Sequence, residues 1–246
     1  MKAILLAAGR GERLRPLTDQ IPKVLAPIAG RPLLDYWLEL CEKHSFHDVL
    51  INTCYKYEMV EDFLKKSRRN LRITIAREKK LLGTAGTLRA NWDFVSNEKV
   101  FLFAHADNYT NIDLTRFLES FESGRKEYSV MAAALFRTPT PQTCGIVRLD
   151  ETNHIVEFYE KVENPPGNLA NAAIYLGTPK LADYLDLDKK DVNYMDFSTQ
   201  VIPKLLGRIF AYEIEGFLVD IGTPEQYESC KDGIVRSGKM GKHRRS

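Results

Sequence analysis

A glycine-rich, cationic loop near the start of the chain has the residue types that bind phosphate groups. It reads Gly9-Arg10-Gly11-Glu12-Arg13, directly after an apolar run at 2–7, and Lys23 follows Pro22 further along. Glycine lets backbone N–H groups approach an anion closely. Arg13 offers a planar fork that bridges phosphate oxygens, and Lys23 adds a compact positive charge. The pattern predicts a loop that holds a triphosphate at the end of a strand.

Two other phosphate-binding loops fit this segment less well. A dinucleotide-binding turn needs a third glycine where Leu14 stands, and an acidic residue at the end of the second strand, where 51–54 reads Ile-Asn-Thr-Cys. Pro16 also interrupts the helix that such a turn would open. The Walker pattern G-x-x-x-x-G-K-[ST] is absent. A nicotinamide-dependent oxidoreductase is therefore the weaker alternative.

Two aspartates follow apolar runs and suit a divalent metal ion. Asp107 comes after the run 101–104, and Asp220 ends the stretch 217–219. Open α/β sheets bind ligands at the carboxyl ends of their strands. Mg²⁺ prefers one or two carboxylates together with phosphate oxygens and water. An aspartate after a strand also caps turns and helices, so a purely structural role stays open for each residue alone.

The elements that must position these residues follow from apolar periodicity. Buried parallel strands are predicted at 2–7, 49–53, 72–76 and 100–104, with helical patterns between them. The clearest helix starts at Pro32 and presents one apolar face over 33–41. This alternation predicts βαβ units in a doubly wound sheet.

The pattern changes in the second half of the chain. Shorter strands are predicted at 130–135, 145–149, 155–159 and 172–176, which indicates a mixed region with antiparallel additions. Helical patterns at 179–185 and 197–206 precede a strand at 209–214, a short apolar stretch at 217–219 and a helix from Pro224. No Gly/Ser-rich linker separates the halves. We expect one domain over 1–235, with a nucleotide half at about 1–125 and an acceptor half at about 126–235.

Composition limits the possible partners. The chain has 246 residues, with 35 Lys and Arg against 33 Asp and Glu, so its net charge of +2 favours no nucleic-acid partner. Its four cysteines form no C-x-x-C pair and predict neither a zinc site nor a disulfide scaffold. No segment is typical of a signal peptide or a membrane span, so we expect a cytoplasmic protein. A basic tail at 236–246 is expected to be disordered.

Several motifs in order resemble the sugar-1-phosphate nucleotidylyltransferase family. The first is Leu6-Ala7-Ala8-Gly9-x-Gly11-x-Arg13-Leu14-x-Pro16-Leu17-Thr18, followed by Pro22-Lys23. Four more follow along nearly the whole chain: 82–86 (Leu-Gly-Thr-Ala-Gly), 106–108 (Ala-Asp-Asn), Glu160-Lys161 with Asn171, and 220–224 (Asp-Ile-Gly-Thr-Pro). The resemblance implies the nucleotide-diphospho-sugar transferase fold: α/β, with a Rossmann-like, doubly wound, mixed and mostly parallel sheet. The chain has no hexapeptide repeats, so no β-helix domain is expected.

The resemblance also assigns roles to residues. It implies catalytic cations at Arg13, Lys23 and Lys161, and an Mg²⁺ ion held by Asp107 and Asp220. It implies that the nucleotide is bound by Leu6, Ala7, Ala8, Gly9, Gly11, Glu78, Gly83, Thr84 and Ala85. It implies that the sugar phosphate is bound by Asn108, Gly145, Glu160, Lys161 and Asn171. For Glu78, a solvated surface acid is the competing interpretation.

The reaction implied joins a nucleoside triphosphate and a sugar 1-phosphate and releases pyrophosphate. The 82–86 segment resembles the guanylyltransferases for mannose and heptose 1-phosphates, whereas the first motif resembles the uridylyltransferase for N-acetylmuramate 1-phosphate. GTP is favoured; UTP, dTTP or CTP, or a non-catalytic regulatory relative, are the alternatives. A homodimer is compatible with the family. His105 stands where the family commonly has asparagine, and a histidine satisfied by local hydrogen bonds is the favoured interpretation.

Overall fold

The computed structural model describes residues 1–189 and 194–233. Its strands are β1 Lys2–Leu6, β2 Pro27–Ile28, β3 Arg31–Pro32, β4 Asp48–Thr53, β5 Arg72–Arg77, β6 Phe101–His105, β7 Asn108–Thr110, β8 Met131–Arg137, β9 Gly145–Leu149, β10 Ile155–Glu160, β11 Leu169–Gly177, β12 Ile209–Glu213 and β13 Leu218–Asp220. Its α-helices are α1 Leu17–Gln20, α2 Leu33–Lys43, α3 Tyr57–Lys66, α4 Thr84–Ala90, α5 Trp92–Val95, α6 Leu114–Gly124, α7 Phe197–Gln200 and α8 Pro224–Glu228. The predicted tail at 236–246 lies outside the described residues.

The central sheet has nine strands, and its parallel part carries the predicted βαβ units. Its order is β10-β9-β11-β6-β1-β4-β5, with β8 beside β11 and β12 beside β8. Strand β1 pairs in parallel with β4 and β6, and β4 pairs in parallel with β5. Ala3 and Leu5 face one hydrophobic core and Ile4 faces the other. Burial on both faces explains why β1 is a continuous apolar run.

The second half adds the predicted antiparallel strands. Strand β11 pairs antiparallel with β6, β8 and β9, and β10 pairs antiparallel with β9. The helical patterns predicted here are confirmed, although most of their length is 3₁₀ helix and not α-helix. Residues 179–184 form a 3₁₀ helix, and 197–206 splits into α7 and a second 3₁₀ turn at Ile202–Leu205. Pro203 lies inside that pattern, where it lacks an N–H donor and clashes with the preceding turn, so an α-helix does not continue.

A small second sheet brings a distant segment to the end of β6. Strand β13 pairs antiparallel with β7, and this register places Asp220 opposite Asn108. A third hydrophobic cluster, which includes Leu14, Tyr109 and Ile221, packs the first loop against this sheet. The small sheet therefore holds Asp220 next to the residue that follows Asp107. Within the described residues, no helix is long and apolar enough to cross a membrane.

Candidate functional site

A cavity of about 540 Å³ opens at the carboxyl ends of the parallel strands. This is where open α/β sheets bind ligands. Its lining is Leu6, Ala7, Ala8, Gly9, Arg10, Gly11, Glu12, Arg13, Lys23, Val24, Asn52, Glu78, Leu81, Gly83, Thr84, Thr87, His105, Asp107, Tyr194 and Gly222. The glycine-rich loop, the predicted cations Arg13 and Lys23, and Asp107 thus meet in one cavity.

The glycine-rich loop depends on the left-handed backbone of Gly11. Its φ is +63°, and a Cβ there would lie 2.8 Å from the Cγ2 of Thr18. The Thr18 hydroxyl donates to the Gly11 carbonyl over 2.8 Å, which fixes the turn. Any side chain at residue 11 would therefore be strained and crowded. Arg13 leaves this turn with a largely exposed side chain, and its Nη2 lies 3.8 Å from Oδ2 of Asp220.

Lys23 and the two aspartates form a charged cluster on the cavity wall. The Lys23 Nζ donates to Oδ2 of Asp107 over 2.8 Å and to Oδ1 of Asp220 over 2.9 Å. The Lys23 side chain is buried, so burial lowers its pKa, but the two carboxylates outweigh this and its net pKa is raised. Burial likewise raises the pKa of Asp107, and the Lys23 charge reverses this to a net lowering. Lys23 and Asp107 are therefore both charged at neutral pH.

These pKa shifts predict how the cluster changes stability with pH. Folding lowers the pKa of Asp107, so its ionised form stabilises the folded protein. This contribution to the free energy of unfolding is fully present above the pKa of the unfolded state, about 3.9, and is lost as pH falls through the pKa of the folded state. Because the pKa of Lys23 is raised, its contribution is present below about 10.4 and is lost as pH rises through the folded value.

Denaturant unfolding of wild type and Lys23→Met across this range checks the expectation. The difference in free energy of unfolding should shrink as pH falls from neutral, because Asp107 of the variant has lost the Lys23 charge and protonates at a higher pH than in wild type. It should also shrink above about pH 10, where wild type loses the Lys23 charge. A difference that stays constant from neutral to acidic pH would contradict the assignment.

A buried polar network forms the opposite wall of the cavity. Glu78 Oε1 accepts from Asn52 Nδ2 over 2.8 Å and from the Thr87 hydroxyl, and Oε2 accepts from the Leu82 N–H over 3.1 Å. Glu78 is 9% exposed, so the competing interpretation of a solvated surface acid is wrong. Within residues 1–189 and 194–233, no cation lies within ion-pair distance of this carboxylate. The wall therefore presents a carboxylate held by neutral donors.

The 82–86 segment is held by the chain around Met195. Gly83 has φ of +80°, and a Cβ there would clash with the Met195 carbonyl oxygen. Thr84 Oγ1 donates to Asp196 Oδ2 over 3.2 Å and accepts from the Phe197 N–H over 2.7 Å. Gly83 and Thr84 line the cavity.

Ala85 departs from its predicted place beside the nucleotide. It is fully buried, is absent from the cavity lining, and donates its N–H to Met195 O over 2.9 Å. Because this N–H is already paired and the side chain is a lone buried methyl group, Ala85 has no group to offer a ligand in this arrangement. Its contribution is to pack α4 beneath the cavity.

Three predicted acceptor residues lie together outside the cavity. Gly145 pairs with Glu160 across β9 and β10, and a Cβ on Gly145 would lie 2.8 Å from Oε2 of Glu160. Lys161 has φ of +49°, and its Nζ lies 3.2 Å from Oε1 of Glu160. The Lys161 side chain is exposed, so its ammonium is accessible to an anion.

The two predicted asparagines have their amides engaged within the protein. Asn108 Nδ2 donates to the Ala172 carbonyl over 3.0 Å. Asn171 Nδ2 donates to the Tyr175 hydroxyl over 2.7 Å, and its Oδ1 accepts from the Ala173 N–H over 3.2 Å. Both side chains therefore stabilise β11, where its pairing register with β8 shifts between Asn171 and Tyr175. Contact with a sugar would use their remaining hydrogen-bonding capacity.

His105 differs from the favoured interpretation of a hydrogen-bonded histidine. It lines the cavity, and its ring has no hydrogen-bond partner in the part of the chain that the structure describes. Burial lowers its pKa, although the Asp107 carboxylate acts in the opposite direction. The ring is therefore largely neutral at physiological pH and can donate or accept.

Several cavity residues were given no role from the sequence, among them Arg10, Asn52, Thr87 and Tyr194. Asn52 had a signal, because it is a polar residue at the end of a strand that is otherwise apolar from Val49 to Ile51. Thr87 lies just beyond the 82–86 motif, on the first turn of α4. Tyr194 lies far from the other motifs in sequence and carries no local pattern that links it to them.

Asp107 and Asp220 fit a divalent cation by chemistry and position. Both carboxylates reach a single positively charged atom, Lys23 Nζ, so they already converge on one point of positive charge. A cation with two carboxylates needs further oxygen ligands, which a triphosphate in the adjoining cavity would supply. Among the described residues there is no group of three or more His, Cys, Asp or Glu side chains that could hold a metal alone. The arrangement therefore fits an ion shared with a phosphate ligand.

An α/β sheet with a glycine-rich loop, converging aspartates and cations at its carboxyl edge defines a nucleotide-binding protein of the phosphate-transferring class. Residues 2–236 match the family model described as Nucleotidyl transferase. The chain therefore belongs to the sugar-1-phosphate nucleotidylyltransferase family, as its motifs predicted.

Individual relatives agree with the family. The chain is 31% identical over 227 residues to the D-glycero-α-D-manno-heptose 1-phosphate guanylyltransferase of Campylobacter jejuni, covering 92% of this chain and 97% of that protein. It is 30% identical over 239 residues to the mannose-1-phosphate guanylyltransferase of Mycobacterium tuberculosis, covering 95% of this chain but 64% of that protein. The chain thus spans about two thirds of the length of the second relative.

A solved structure shows the same fold. The chain superimposes with a TM-score of 0.83 on a protein from Bacillus anthracis described as a glucose-1-phosphate thymidylyltransferase, at 23% identity and over 98% of both chains. The Rossmann-like, mixed sheet predicted from the motifs is therefore confirmed.

Proposed function

We propose that this protein joins GTP and a sugar 1-phosphate to give a GDP-sugar and pyrophosphate, with assistance from Mg²⁺. The observation that carries the proposal is the meeting of Lys23, Asp107 and Asp220 beside the glycine-rich loop, where Lys23 and Asp107 line the cavity and Asp220 pairs with Lys23. Transfer at a phosphorus atom needs carboxylates that can hold a metal ion and cations that can bind phosphate oxygens. We place the whole activity in one domain over 1–235 and expect it in the cytoplasm.

The chain's own groups account for attack on the α-phosphorus without a general base. A phosphate monoester has a second pKa of about 6, so the acceptor is largely dianionic at neutral pH and needs no deprotonation. The barrier is then the repulsion between two anions, which positioning and fixed charge lower. Arg13 is exposed at the loop, where its guanidinium can bind the leaving pyrophosphate.

Lys23 and Lys161 act on the two remaining anions. Lys23 projects into the cavity, where its ammonium can bind the α-phosphate, and Lys161 lies on the acceptor side with an exposed ammonium. A bound Mg²⁺, held by Asp107 and Asp220, would withdraw charge from the phosphate oxygens. Leu6 to Gly11 would surround the base and ribose with backbone, and Glu160 with Gly145 would face the sugar.

The preference for guanine is supported by the carboxylate of Glu78. Among the described residues, Oε1 accepts two hydrogen bonds, whereas Oε2 accepts one, from the Leu82 N–H, and keeps acceptor capacity on the cavity wall. Guanine presents an N1–H and an N2 amino group side by side, and both are donors that suit a carboxylate. Uracil and thymine present one N–H with a carbonyl group on each side. A carboxylate repels these carbonyl oxygens.

Glu78→Gln is expected to lower kcat/KM for GTP by about ten- to a hundredfold, because an amide opposes one of the two guanine donors. The values for UTP and dTTP should fall less or rise. Glu213→Gln is the matched control, because Glu213 is an exposed glutamate of β12 that pairs with Arg137. It should leave all kcat/KM values unchanged. Equal losses for every base would refute the role of Glu78.

A grid of the nucleoside triphosphates against several sugar 1-phosphates, with pyrophosphate release as the readout, tests the function itself. The expected result is release with GTP and one sugar phosphate, dependent on Mg²⁺. Preference for UTP, dTTP or CTP would move the protein to another branch of the family. Binding of nucleotide without pyrophosphate release from any pair would favour the non-catalytic regulatory relative.

A further inference from the structure

Asn52 joins three segments of the cavity wall through one buried amide. It is 3% exposed and lies one residue before the end of β4. Its Oδ1 accepts from the Ala7 N–H over 2.7 Å, at the start of the glycine-rich loop. Its Nδ2 donates to Glu78 Oε1 over 2.8 Å and to Thr87 Oγ1 over 3.1 Å. The side chain therefore uses both of its ends, and each partner lies on a different element.

The orientation of this amide is fixed by its partners. The Ala7 N–H can only donate, so the oxygen of Asn52 must face it and the NH₂ group must face Glu78. The NH₂ group and the Thr87 hydroxyl then both donate to Oε1 of Glu78. A carboxylate with one oxygen engaged by two donors cannot rotate without leaving a buried group unpaired. Asn52 thus holds the less occupied Oε2 in place.

The same amide couples the base side of the cavity to the phosphate side. Glu78 follows β5 by one residue, whereas Ala7 follows β1 and leads into Gly9 and Gly11. A shift of the Glu78 carboxylate would be passed through Asn52 to the backbone that we place around the nucleotide. Of the described residues, Asn52 is the one whose side chain bonds both to that loop and to Glu78.

We propose that Asn52 is a positioning residue for nucleobase selectivity. Its amide holds the Glu78 carboxylate at a fixed position relative to the glycine-rich loop. This inference rests on the proposed function. Without the amide, Oε1 keeps only the Thr87 hydroxyl, and the Ala7 N–H loses its partner. The carboxylate can then turn away from the base, so the protein loses discrimination between bases before it loses phosphate chemistry, which depends on Lys23, Asp107 and Asp220.

Asn52→Leu, which keeps the branched shape of the side chain without its polar atoms, is the main test in the full chain. We expect kcat/KM for GTP to fall about tenfold or more, mainly through KM, and the ratio of GTP to UTP to fall with it. In a Glu78→Gln background the same change should leave that ratio nearly unaltered, because Asn52 acts through Glu78. Thr87→Val removes the other donor to Oε1 and should shift the ratio in the same direction; it also serves if Asn52→Leu fails to fold.

The matched control is Ser129→Ala, which removes a buried hydrogen bond to Nε2 of His154 away from the cavity. It should lower the melting temperature without changing the base ratio. Equal losses for GTP and UTP in Asn52→Leu, or a change of ratio that persists in the Glu78→Gln background, would overturn the proposal. Calorimetric titration of GTP and UTP without sugar phosphate gives the same ratio as a binding constant. If no substrate pair releases pyrophosphate, the proposed function fails while these titrations still decide the role of Asn52.

Discussion

Asp107→Asn and Asp220→Asn are each expected to lower kcat by about a thousandfold or more while the protein stays folded. Each carboxylate supplies a negative charge to the point where Lys23 Nζ now sits, and an amide supplies none. The amide oxygen can still accept from Lys23, so the buried ammonium keeps a partner and folding is preserved. Pyrophosphate release at saturating substrate and circular dichroism measure the two effects.

The control for these variants is Asp150→Asn. Asp150 also accepts several hydrogen bonds through its carboxylate, from Thr152 and His154, but it lies in the turn between β9 and β10. The Asp150→Asn variant should have a lower free energy of unfolding and an unchanged kcat. Calorimetry of Mn²⁺ in the presence of nucleotide should also show weaker binding in both site variants. Near-normal turnover in either one would exclude that aspartate from the metal site.

The local parts of the site could be predicted from sequence because each is a short motif with its own physical signal. Gly9, Gly11 and Arg13 follow directly on β1, and apolar runs ending near Asp107 and Asp220 place both aspartates at strand ends. The strands at 2–7, 49–53 and 100–104 are confirmed as buried, since burial on both faces forces continuous apolar runs. The strand at 72–76 forms, but its predicted burial is wrong, because β5 lies at the edge of the sheet and leaves Ile75 exposed. The convergence of Asp107 and Asp220 on Lys23 has no local signal, because it depends on pairing between β7 and β13.

The polar network of Asn52, Glu78 and Thr87 shows a different limit. Each residue alone is ordinary: an asparagine after a strand, a glutamate in a charged stretch and a threonine on a helix. Their chemistry arises only when β4, β5 and α4 come together and exclude water from the carboxylate. The amides of Asn108 and Asn171 illustrate the reverse case, because the resemblance implied contacts with the sugar phosphate, whereas in the folded chain both amides donate to residues of β11.

Lys23→Met is expected to lower kcat by about a hundredfold and, at the same time, to strengthen binding of a divalent cation to the nucleotide-free protein. The Lys23 ammonium donates to carboxylate oxygens of Asp107 and Asp220. A metal ion would bind the same two carboxylates. The ammonium and the metal therefore compete for the two carboxylates. A bound triphosphate favours the metal, because Lys23 can then pair with a phosphate oxygen and leave the carboxylates to the metal. Removing Lys23 leaves two carboxylates facing each other, which favours any cation that can bind both.

Titration with Mn²⁺, followed by electron paramagnetic resonance without nucleotide, separates the two roles of Lys23. We expect binding about tenfold tighter in Lys23→Met than in wild type. Lys161→Met is the matched control: it also removes a cation of the proposed site, so turnover should fall, but Lys161 pairs with Glu160 and not with the aspartates. Its Mn²⁺ affinity should equal that of wild type. Unchanged Mn²⁺ affinity in Lys23→Met would show that the ammonium does not compete with the metal for the two aspartates.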